Sequence, residues 1–146
     1  MKSILASLIV SVLLAGIASA EVVDGSAITV IDGDTVALPC AVPGPGCAEK
    51  IRLEGIDTPE SFKPHCEQEL VAGLKAKERL AGIIRGKRVS ISRSGKDRYG
   101  RTLGNLHVDG SDVGDILVQS GLALPYAPGR TAKASRIAHW CGPGDW

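Results

Sequence analysis

Apolar and polar residues alternate in several short stretches of the chain, and a period of two is typical of β-strands. The segment "AITVIDGDTVAL" (27–38) holds two β-branched runs around the turn signal Asp32-Gly33, and it therefore predicts two strands joined by a tight bend. Three further segments predict a third, fourth and fifth strand: "KIRLEGI" (50–56), "KRVSIS" (87–92) and "RTLGNLHV" (101–108).

Apolar residues at helical spacing predict a helix over residues 67–85, between the third and fourth strands. The apolar positions of this helix are Leu70, Leu74, Ala81 and Ile84. A short second helix is predicted after Asp109-Gly110. Its buried side would consist of Val113, Ile116 and Leu117. After a stretch rich in Pro and Gly (125–130), we expect one or two further helical turns from Thr131.

Five short strands with a helix between the third and fourth match the layout of an OB-fold, a small Greek-key β-barrel. We therefore predict an α+β fold with a five-stranded barrel and two to three short helices. The chain has 146 residues, of which 44% are hydrophobic, and this is enough for one domain with its own core. Aromatic residues make up only 3%, so we expect an aliphatic core and few side chains that can stack on ligands.

The N-terminal segment has the pattern of a secretory signal peptide. Lys2 provides a positive charge, and an apolar run (4–17) is followed by the small-residue cleavage site "ASA" (18–20). The alternative is a membrane anchor, but the apolar run is shorter than the roughly 20 residues that span a bilayer. We therefore predict a signal peptide at 1–20, a single domain at 21–146, a secreted or periplasmic location, and no membrane contact after cleavage.

An even number of cysteines in an exported chain indicates disulfides. The four cysteines are Cys40, Cys47, Cys66 and Cys141, and they allow three pairings. The first two bracket the turn-forming stretch "AVPGPG", so we expect them to close a short surface loop. The other two would then join the centre of the chain to its end. A zinc site is the alternative, but the sequence has no CxxC pair.

The charged residues are segregated along the chain. Without Lys2 the chain has 16 basic and 16 acidic residues, and a net charge of zero argues against binding nucleic acid by bulk charge alone. Between Lys75 and Arg101, ten residues are Lys or Arg and only two are acidic. The carboxylates gather instead at Asp32, Asp34, Glu54, Asp57 and Glu60. This distribution indicates either ordinary solvated surfaces or an anion-attracting surface beside a cation-binding carboxylate cluster.

Two of these carboxylates lie at strand ends, Asp34 in "IDGDTV" and Asp57 in "GIDTPE". Together with the backbone carbonyl of Thr58 they offer hard oxygen ligands, which suit calcium or magnesium better than zinc. Glu60 follows closely and is a candidate to hold or deprotonate a water molecule near such an ion.

Two arginines are candidates for binding phosphate, because a guanidinium group can donate paired hydrogen bonds to phosphate oxygens. Arg52 lies five residues before Asp57, and Arg101 opens the predicted fifth strand. Arg52 taken alone could equally form an ion pair with an Asp or Glu.

Three stretches, in this order and at this spacing, resemble the thermonuclease, or staphylococcal-nuclease-like, family: "VIDGDTV", "IRLEGIDTPE" and "DRYGRTLGNLHVDGSDVGDILVQSGLA". The resemblance covers about residues 26–124. It implies an OB-fold barrel and an endonuclease that hydrolyses DNA and RNA with calcium and with little sequence preference. We also expect the protein to be a monomer.

The resemblance implies a role for each carboxylate of the two strand-end motifs. Asp34 and Asp57 correspond to the family's calcium-binding aspartates, and Thr58 would add its backbone carbonyl. Glu60 corresponds to the family's general base or water-orienting carboxylate.

The resemblance also implies how the substrate is bound. Arg52 and Arg101 correspond to the family's two phosphate-binding arginines. Tyr99 resembles its nucleotide-contacting tyrosine, and Arg98 stands where the family commonly has lysine, so both are expected to contact substrate. Tyr126 is a candidate for some of the base-stacking contacts.

The chain departs from the family's usual pattern at two places, a cysteine-flanked insertion between the second and third strands and a shorter C-terminal region. Two other classes of protein stay open from the residues alone. One is a non-catalytic OB-fold module that binds nucleic acid or another anion, and the other is a secreted structural protein held by disulfides.

Overall fold

The computed structural model describes residues 20–144, so that the predicted signal peptide lies outside the described residues apart from Ala20. The strands are β1 (Glu21–Asp24), β2 (Thr29–Asp32), β3 (Thr35–Ala37), β4 (Lys50–Leu53), β5 (Ile56–Asp57), β6 (Arg88–Lys96), β7 (Thr102–Val108), β8 (Ser111–Asp112) and β9 (Leu124–Pro125). The α-helices are α1 (Glu67–Ile84), α2 (Val113–Gln119) and α3 (Arg130–Cys141). None of the helices in this part of the chain combines the length and apolar character needed to cross a bilayer.

The main sheet has the strand order β1-β6-β7-β4-β3-β2, with β8 paired to β7. Its neighbours are antiparallel except for β4 and β7, which run parallel. The two outer strands, β1 and β2, are separated by only residues 25–28, so the sheet has to curl until its two edges approach each other. This curled sheet with three helices confirms the predicted α+β class and the OB-fold. Within the described residues the sheet has seven strands where five were predicted, because the short strands β1 and β8 were not recognised in the sequence.

The break between β1 and β2 depends on the close approach of one glycine to α1. Gly25 opens a short 3₁₀ turn (Gly25–Ala27), and its amide donates to the carbonyl of Lys87 at 2.8 Å. A Cβ at this position would lie 1.8 Å from the carbonyl oxygen of Ile84. Only glycine therefore fits here, where the connection between β1 and β2 passes the C-terminal end of α1.

The core is aliphatic, as the composition predicts. Its fully buried large side chains are Val36, Ile51, Leu80, Ile84, Val89, Ile91, Leu106, Val113 and Leu117. They come from both faces of the interior, the curled sheet on one side and the helices on the other.

The predicted third strand is wrong as a single element. β4 ends at Leu53, and β5 leaves the main sheet to pair with β9. The reason is the turn at Glu54-Gly55, where Gly55 has a φ of 76°, a left-handed conformation that interrupts the extended chain. The predicted fourth strand is longer than expected and runs to Lys96, with an irregularity between Arg93 and Gly95.

The predicted apolar face of α1 is confirmed at Ile84 and wrong at Leu74. The buried residues of the helix are Glu69, Gly73, Ala76, Leu80 and Ile84, whereas Leu74 is 51% exposed. Small residues allow the close packing, because a Cβ on Gly73 would lie 2.8 Å from the carbonyl oxygen of Pro59. At Gly73 the helix backbone therefore packs directly against the loop after β5, and the neighbouring Leu74 remains at the surface.

α3 is longer than the one or two turns predicted from the sequence, since it spans Arg130–Cys141. Ile137 is its only buried residue within the described chain, which explains why the apolar pattern was weak. The helix packs on α1. Its last residue, Cys141, forms a disulfide with Cys66, the N-cap residue of α1.

Both disulfides join the cysteines expected from the loop pattern. Cys40 and Cys47 are 5.5 Å apart at their Cα atoms, and Cys66 and Cys141 are 5.8 Å apart. The first bridge closes a loop with a sequence separation of 7, and the second spans 75 positions. The second bridge therefore restricts the unfolded chain far more than the first.

One arginine ties three strands together at the end of the sheet where β4 and β7 begin. Arg93 in β6 pairs with Glu21 in β1 at 2.6 Å and with Glu49, which precedes β4, at 2.7 Å. Glu49 also accepts a hydrogen bond from the hydroxyl of Thr102 at 2.7 Å. The hydrogen bonds from Arg93, more than any other cause, lower the pKa of Glu49 to about 2.

We predict that losing the Cys66–Cys141 bridge lowers the free energy of unfolding by about 2 kcal/mol more than losing the Cys40–Cys47 bridge, from the difference in loop length. Urea unfolding of the double serine variants C66S/C141S and C40S/C47S, with the oxidised wild type as control, measures this. An equal or larger loss in C40S/C47S would contradict it, and so would a different pairing found by non-reducing peptide mapping.

We predict that Glu49→Gln destabilises the protein at neutral pH and that this difference disappears in acid. Folding lowers the pKa of Glu49 from its ordinary value of 4.5 to about 2. Its contribution to the free energy of unfolding is therefore complete above pH 4.5 and is lost as the pH falls towards about 2. Urea midpoints of both proteins across this range test the sign. A difference that stays constant or grows in acid would show that Glu49 does not act through its charge.

Candidate active site

Two carboxylates from separate turns converge on one guanidinium group. Arg52 in β4 pairs through Nη1 with Asp34 Oδ2 at 2.5 Å and through Nη2 with Asp57 Oδ1 at 3.0 Å. Asp34 follows the β2–β3 turn, and its carbonyl accepts a hydrogen bond from the amide of Leu53 at 2.8 Å. The register between β3 and β4, in which Thr35 lies opposite Arg52, therefore places these charges side by side.

Arg52 also fixes the chain between the two carboxylates. Its guanidinium donates to the carbonyls of Leu53 and Ile56, each at 3.2 Å. These bonds close the turn at Glu54-Gly55 and hold β5 next to β4. The ion pair that the sequence left open for Arg52 is thus present, and its partners are the two aspartates predicted to bind a cation.

Asp34 is the more buried of the two aspartates that pair with Arg52, with 7% of its surface exposed. Burial raises its pKa to about 7, with Asp32 adding to the rise and Arg52 opposing it. Its oxygens accept hydrogen bonds from the Thr35 hydroxyl at 3.1 Å and from the Thr58 amide at 3.2 Å. The backbone amide of Thr58 therefore lies directly beside Asp34, and whether its carbonyl binds a cation stays a prediction.

Glu60 lines a cavity of about 110 Å³ next to Asp57 and Thr58. Partial burial raises its pKa, and the negative charges of Asp32, Asp57 and Glu69 raise it further. A carboxylate with a raised pKa accepts a proton more readily, which suits a general base.

Glu69 holds the loop that carries Glu60, a role that was not predicted from the sequence. One of its oxygens accepts from the Glu60 amide at 3.4 Å, and the other accepts from the His65 amide at 2.6 Å. The His65 ring nitrogen Nδ1 lies 2.9 Å from the same oxygen. Acidic residues are common in the first turn of a helix, so the sequence pattern did not show that Glu69 is buried, with only 3% of its surface exposed.

Arg136 in α3 is a second residue that sequence reasoning missed. Its Nε forms an ion pair with Asp57 Oδ2, so each oxygen of Asp57 faces a different arginine. Its Nη1 donates to the carbonyl of Ala127 at 2.8 Å. Nothing in the sequence around Arg136 distinguishes it from the other basic residues of α3.

Two of the other predicted substrate residues, Tyr99 and Arg101, line a second cavity of about 410 Å³ together with Lys50 and Lys96. Arg101 pairs with Asp97 at 2.7 Å, and its guanidinium carbon lies 5.6 Å from the centre of the Tyr99 ring. The guanidinium carbon of Arg98 lies 5.0 Å from the same centre. Tyr99 is 71% exposed, so its ring is open to a ligand.

Arg101 lies one position before β7, and the alternation of side chains along β7, continued back by one residue, puts Arg101 on the same face of the sheet as Arg52. Leu103 is the register partner of Arg52, and Arg101 precedes Leu103 by two positions. Strand spacings place the Cα atoms of the two arginines roughly 8 Å apart. No hydrogen bond or ion pair joins Arg101 to the carboxylate cluster within residues 20–144.

Tyr126, the candidate for base stacking, is exposed, and its amide donates to the Gly55 carbonyl at 2.9 Å.

Asp34 and Asp57 offer carboxylate oxygens, the type of donor that hard divalent cations prefer. Among the residues that the structure describes, no three Asp, Glu, His or Cys side chains form a ligand group. Two carboxylates nevertheless meet within reach of one guanidinium, and Thr58 adjoins them. Oxygen donors of this kind, completed by a carbonyl and water, match calcium or magnesium and not zinc.

The chain matches the family described as "Staphylococcal nuclease homologue" over residues 50–139. The thermonuclease of Staphylococcus hyicus is 32% identical over 111 residues, which are 75% of this chain and 63% of that protein. An uncharacterized endonuclease of Escherichia coli O157:H7 is 31% identical over 105 residues, or 71% of this chain and 61% of that protein. The staphylococcal-like nuclease CAN1 of Arabidopsis thaliana is 33% identical over 91 residues, or 62% and 25%.

The chain thus spans less than two thirds of the length of each of these relatives. The family match nevertheless covers more than half of the chain and includes β4, both arginines of the sheet face and all of α1. The topology of the sheet and the match to the family agree. The chain belongs to the staphylococcal nuclease family.

Proposed function

We propose that this protein is a secreted, calcium-dependent nuclease that hydrolyses phosphodiester bonds of DNA and RNA with little sequence preference. The observation that carries the proposal is the convergence of Asp34 and Asp57 on Arg52, next to a cavity lined by Glu60. The names of its relatives, which include thermonuclease and endonuclease, support the same reaction.

Asp34 and Asp57 would hold the calcium ion together with the backbone carbonyl of Thr58. A calcium ion supplies positive charge beside the reacting phosphate and favours deprotonation of water. Burial raises the pKa of Asp34 to about 7, so calcium would compete with a proton for this carboxylate at neutral pH.

Glu60 would take the proton from the attacking water. The oxygen of that water attacks phosphorus as the proton passes to the Glu60 carboxylate, and the ester oxygen opposite leaves with the electron pair of the broken P–O bond. The raised pKa of Glu60 supports this assignment, since it strengthens the base.

Arg52 and Arg101 would stabilise the charge that builds on the phosphate oxygens during attack. Their position on one face of the sheet, roughly 8 Å apart at Cα, lets both side chains reach one phosphate or its neighbour. Tyr99 and Arg98 would contact the adjoining nucleotide. Because these contacts are mainly to phosphate, we expect little discrimination between sequences or between DNA and RNA.

We predict that the purified protein degrades supercoiled plasmid DNA and RNA when calcium is added and that a chelator stops the reaction. Asp34→Asn should weaken calcium binding and recover part of its activity at high calcium, because a ligand is lost while the proposed base remains. Glu60→Gln should lose about 10²- to 10⁴-fold in maximal rate, and no excess of calcium should restore it.

Calcium titrations of both variants on one DNA substrate separate the two roles, with Asp109→Asn on the surface as a matched control. Wild-type turnover by Glu60→Gln at saturating calcium would remove Glu60 from the mechanism. Binding of DNA without any cleavage by the wild type would instead identify the protein as a non-catalytic binding module.

A further inference from the structure

α3 presents two cations to the cavity that Glu60 lines. Lys133 and Arg136 are three residues apart and therefore lie on the same side of the helix. Both are part of the cavity wall, together with Asp57 and Glu60. Arg130 lies in the same helix but does not belong to this wall.

The guanidinium group of Arg136 is held in a fixed orientation. Its Nε pairs with Asp57, and its Nη1 donates to Ala127 at 2.8 Å, while its side chain is 21% exposed. Within residues 20–144, its remaining N–H groups make no further hydrogen bond, and Arg136 is part of the cavity wall. An arginine fixed in this way is well suited to bind a phosphate, because little side-chain entropy is lost on binding.

The position of Arg136 is not explained by the need to neutralise Asp57 alone. Arg52 already pairs with the other oxygen of Asp57 at 3.0 Å. Lys133, whose side chain belongs to the same wall, forms no ion pair with a carboxylate in the described part of the chain. The cavity wall therefore holds, beside the carboxylates of Asp57, Glu60 and Glu69, a cation that none of these carboxylates neutralises. Such a cation at the rim of the cavity is available to an anionic ligand.

The position of α3 is fixed covalently. Cys141 ends the helix and is bonded to Cys66, which caps the N-terminus of α1. Three residues further along α1, Glu69 binds the backbone amide of Glu60 at 3.4 Å. The disulfide therefore joins the helix that carries the cations to the loop that carries the proposed base.

We propose that Lys133 and Arg136 form a subsite that binds a phosphate of the nucleic-acid strand adjacent to the phosphate that is cleaved. The inference rests on the proposed function for the identity of the ligand, a phosphodiester of a polynucleotide. Arg136 binds this phosphate with the N–H groups that Asp57 and Ala127 leave unused. Lys133 adds a second positive charge at the outer side of the cavity.

The test measures binding and not activity. An oligothymidine strand of about 12 nucleotides, within the range of OB-fold site sizes, is titrated in chelator by fluorescence anisotropy at several salt concentrations. For single strands, each phosphate contact contributes about 0.7 to the slope of log K against log salt. Because both side chains bind one phosphate, we expect the Lys133→Gln/Arg136→Gln double variant to reduce the slope by about 0.7 and each single variant to reduce it by part of that amount. Arg130→Gln, the matched control on the same helix, should leave the slope unchanged.

Two additional measurements support the assignment. Arg136→Lys keeps the charge, so it should retain most of the slope while binding more weakly than wild type. Reduction of the disulfide should lower the slope in the wild type and leave it unchanged in the Lys133→Gln/Arg136→Gln double variant. Because Lys133 is exposed, Lys133→Gln tests the subsite even if Arg136→Gln fails to fold.

Unchanged slopes in both glutamine variants would overturn the subsite, and an equal fall in Arg130→Gln would show that only bulk charge matters. If the wild type cleaves DNA while the slopes stay unchanged, the subsite is wrong and the proposed function stands. If the slopes fall but the wild type never cleaves DNA, the subsite stands as part of a binding module and the nuclease proposal is wrong.

Discussion

The guanidinium group of Arg52 is the interaction on which the rest of the site depends. It binds the carboxylates of Asp34 and Asp57, and it also closes the turn that separates β4 from β5 through the carbonyls of Leu53 and Ile56. Removing the charge of Arg52 would leave the largely buried Asp34 without its counter-ion, which is costly inside a protein. The same arginine therefore organises the backbone and keeps two acidic groups close together.

The barrel and the strand-end motifs could be predicted from the sequence because both are local patterns. Alternating β-branched residues and turn signals mark most of the strands, and the turns place Asp34 and Asp57 at strand ends. The face of α1 could not be predicted in this way. It is decided by the close approach of Gly73 to Pro59, so Leu74 remains exposed although the helical pattern favours its burial.

The contributions of α3 lie beyond local patterns for a different reason. Arg136 reaches Asp57 from a helix that begins more than 70 positions later in the chain, and only the packing of α3 on α1 brings them together. The cysteines gave the one long-range clue, since the expected link between Cys66 and Cys141 already placed the end of the chain near the start of α1. The predicted disulfide thus carried more information about the site than the apolar pattern of α3.

Calcium-dependent stability tests most directly whether Asp34 and Asp57 form a cation site. A ligand that binds only the folded state raises the free energy of unfolding by about 2.7 kcal/mol at 100 times its Kd. We expect such a rise for the wild type and for Asp109→Asn in urea unfolding with added calcium, and little or none for Asp34→Asn and Asp57→Asn. An equal rise in the Asp34 and Asp57 variants, or no rise in the wild type, would contradict it.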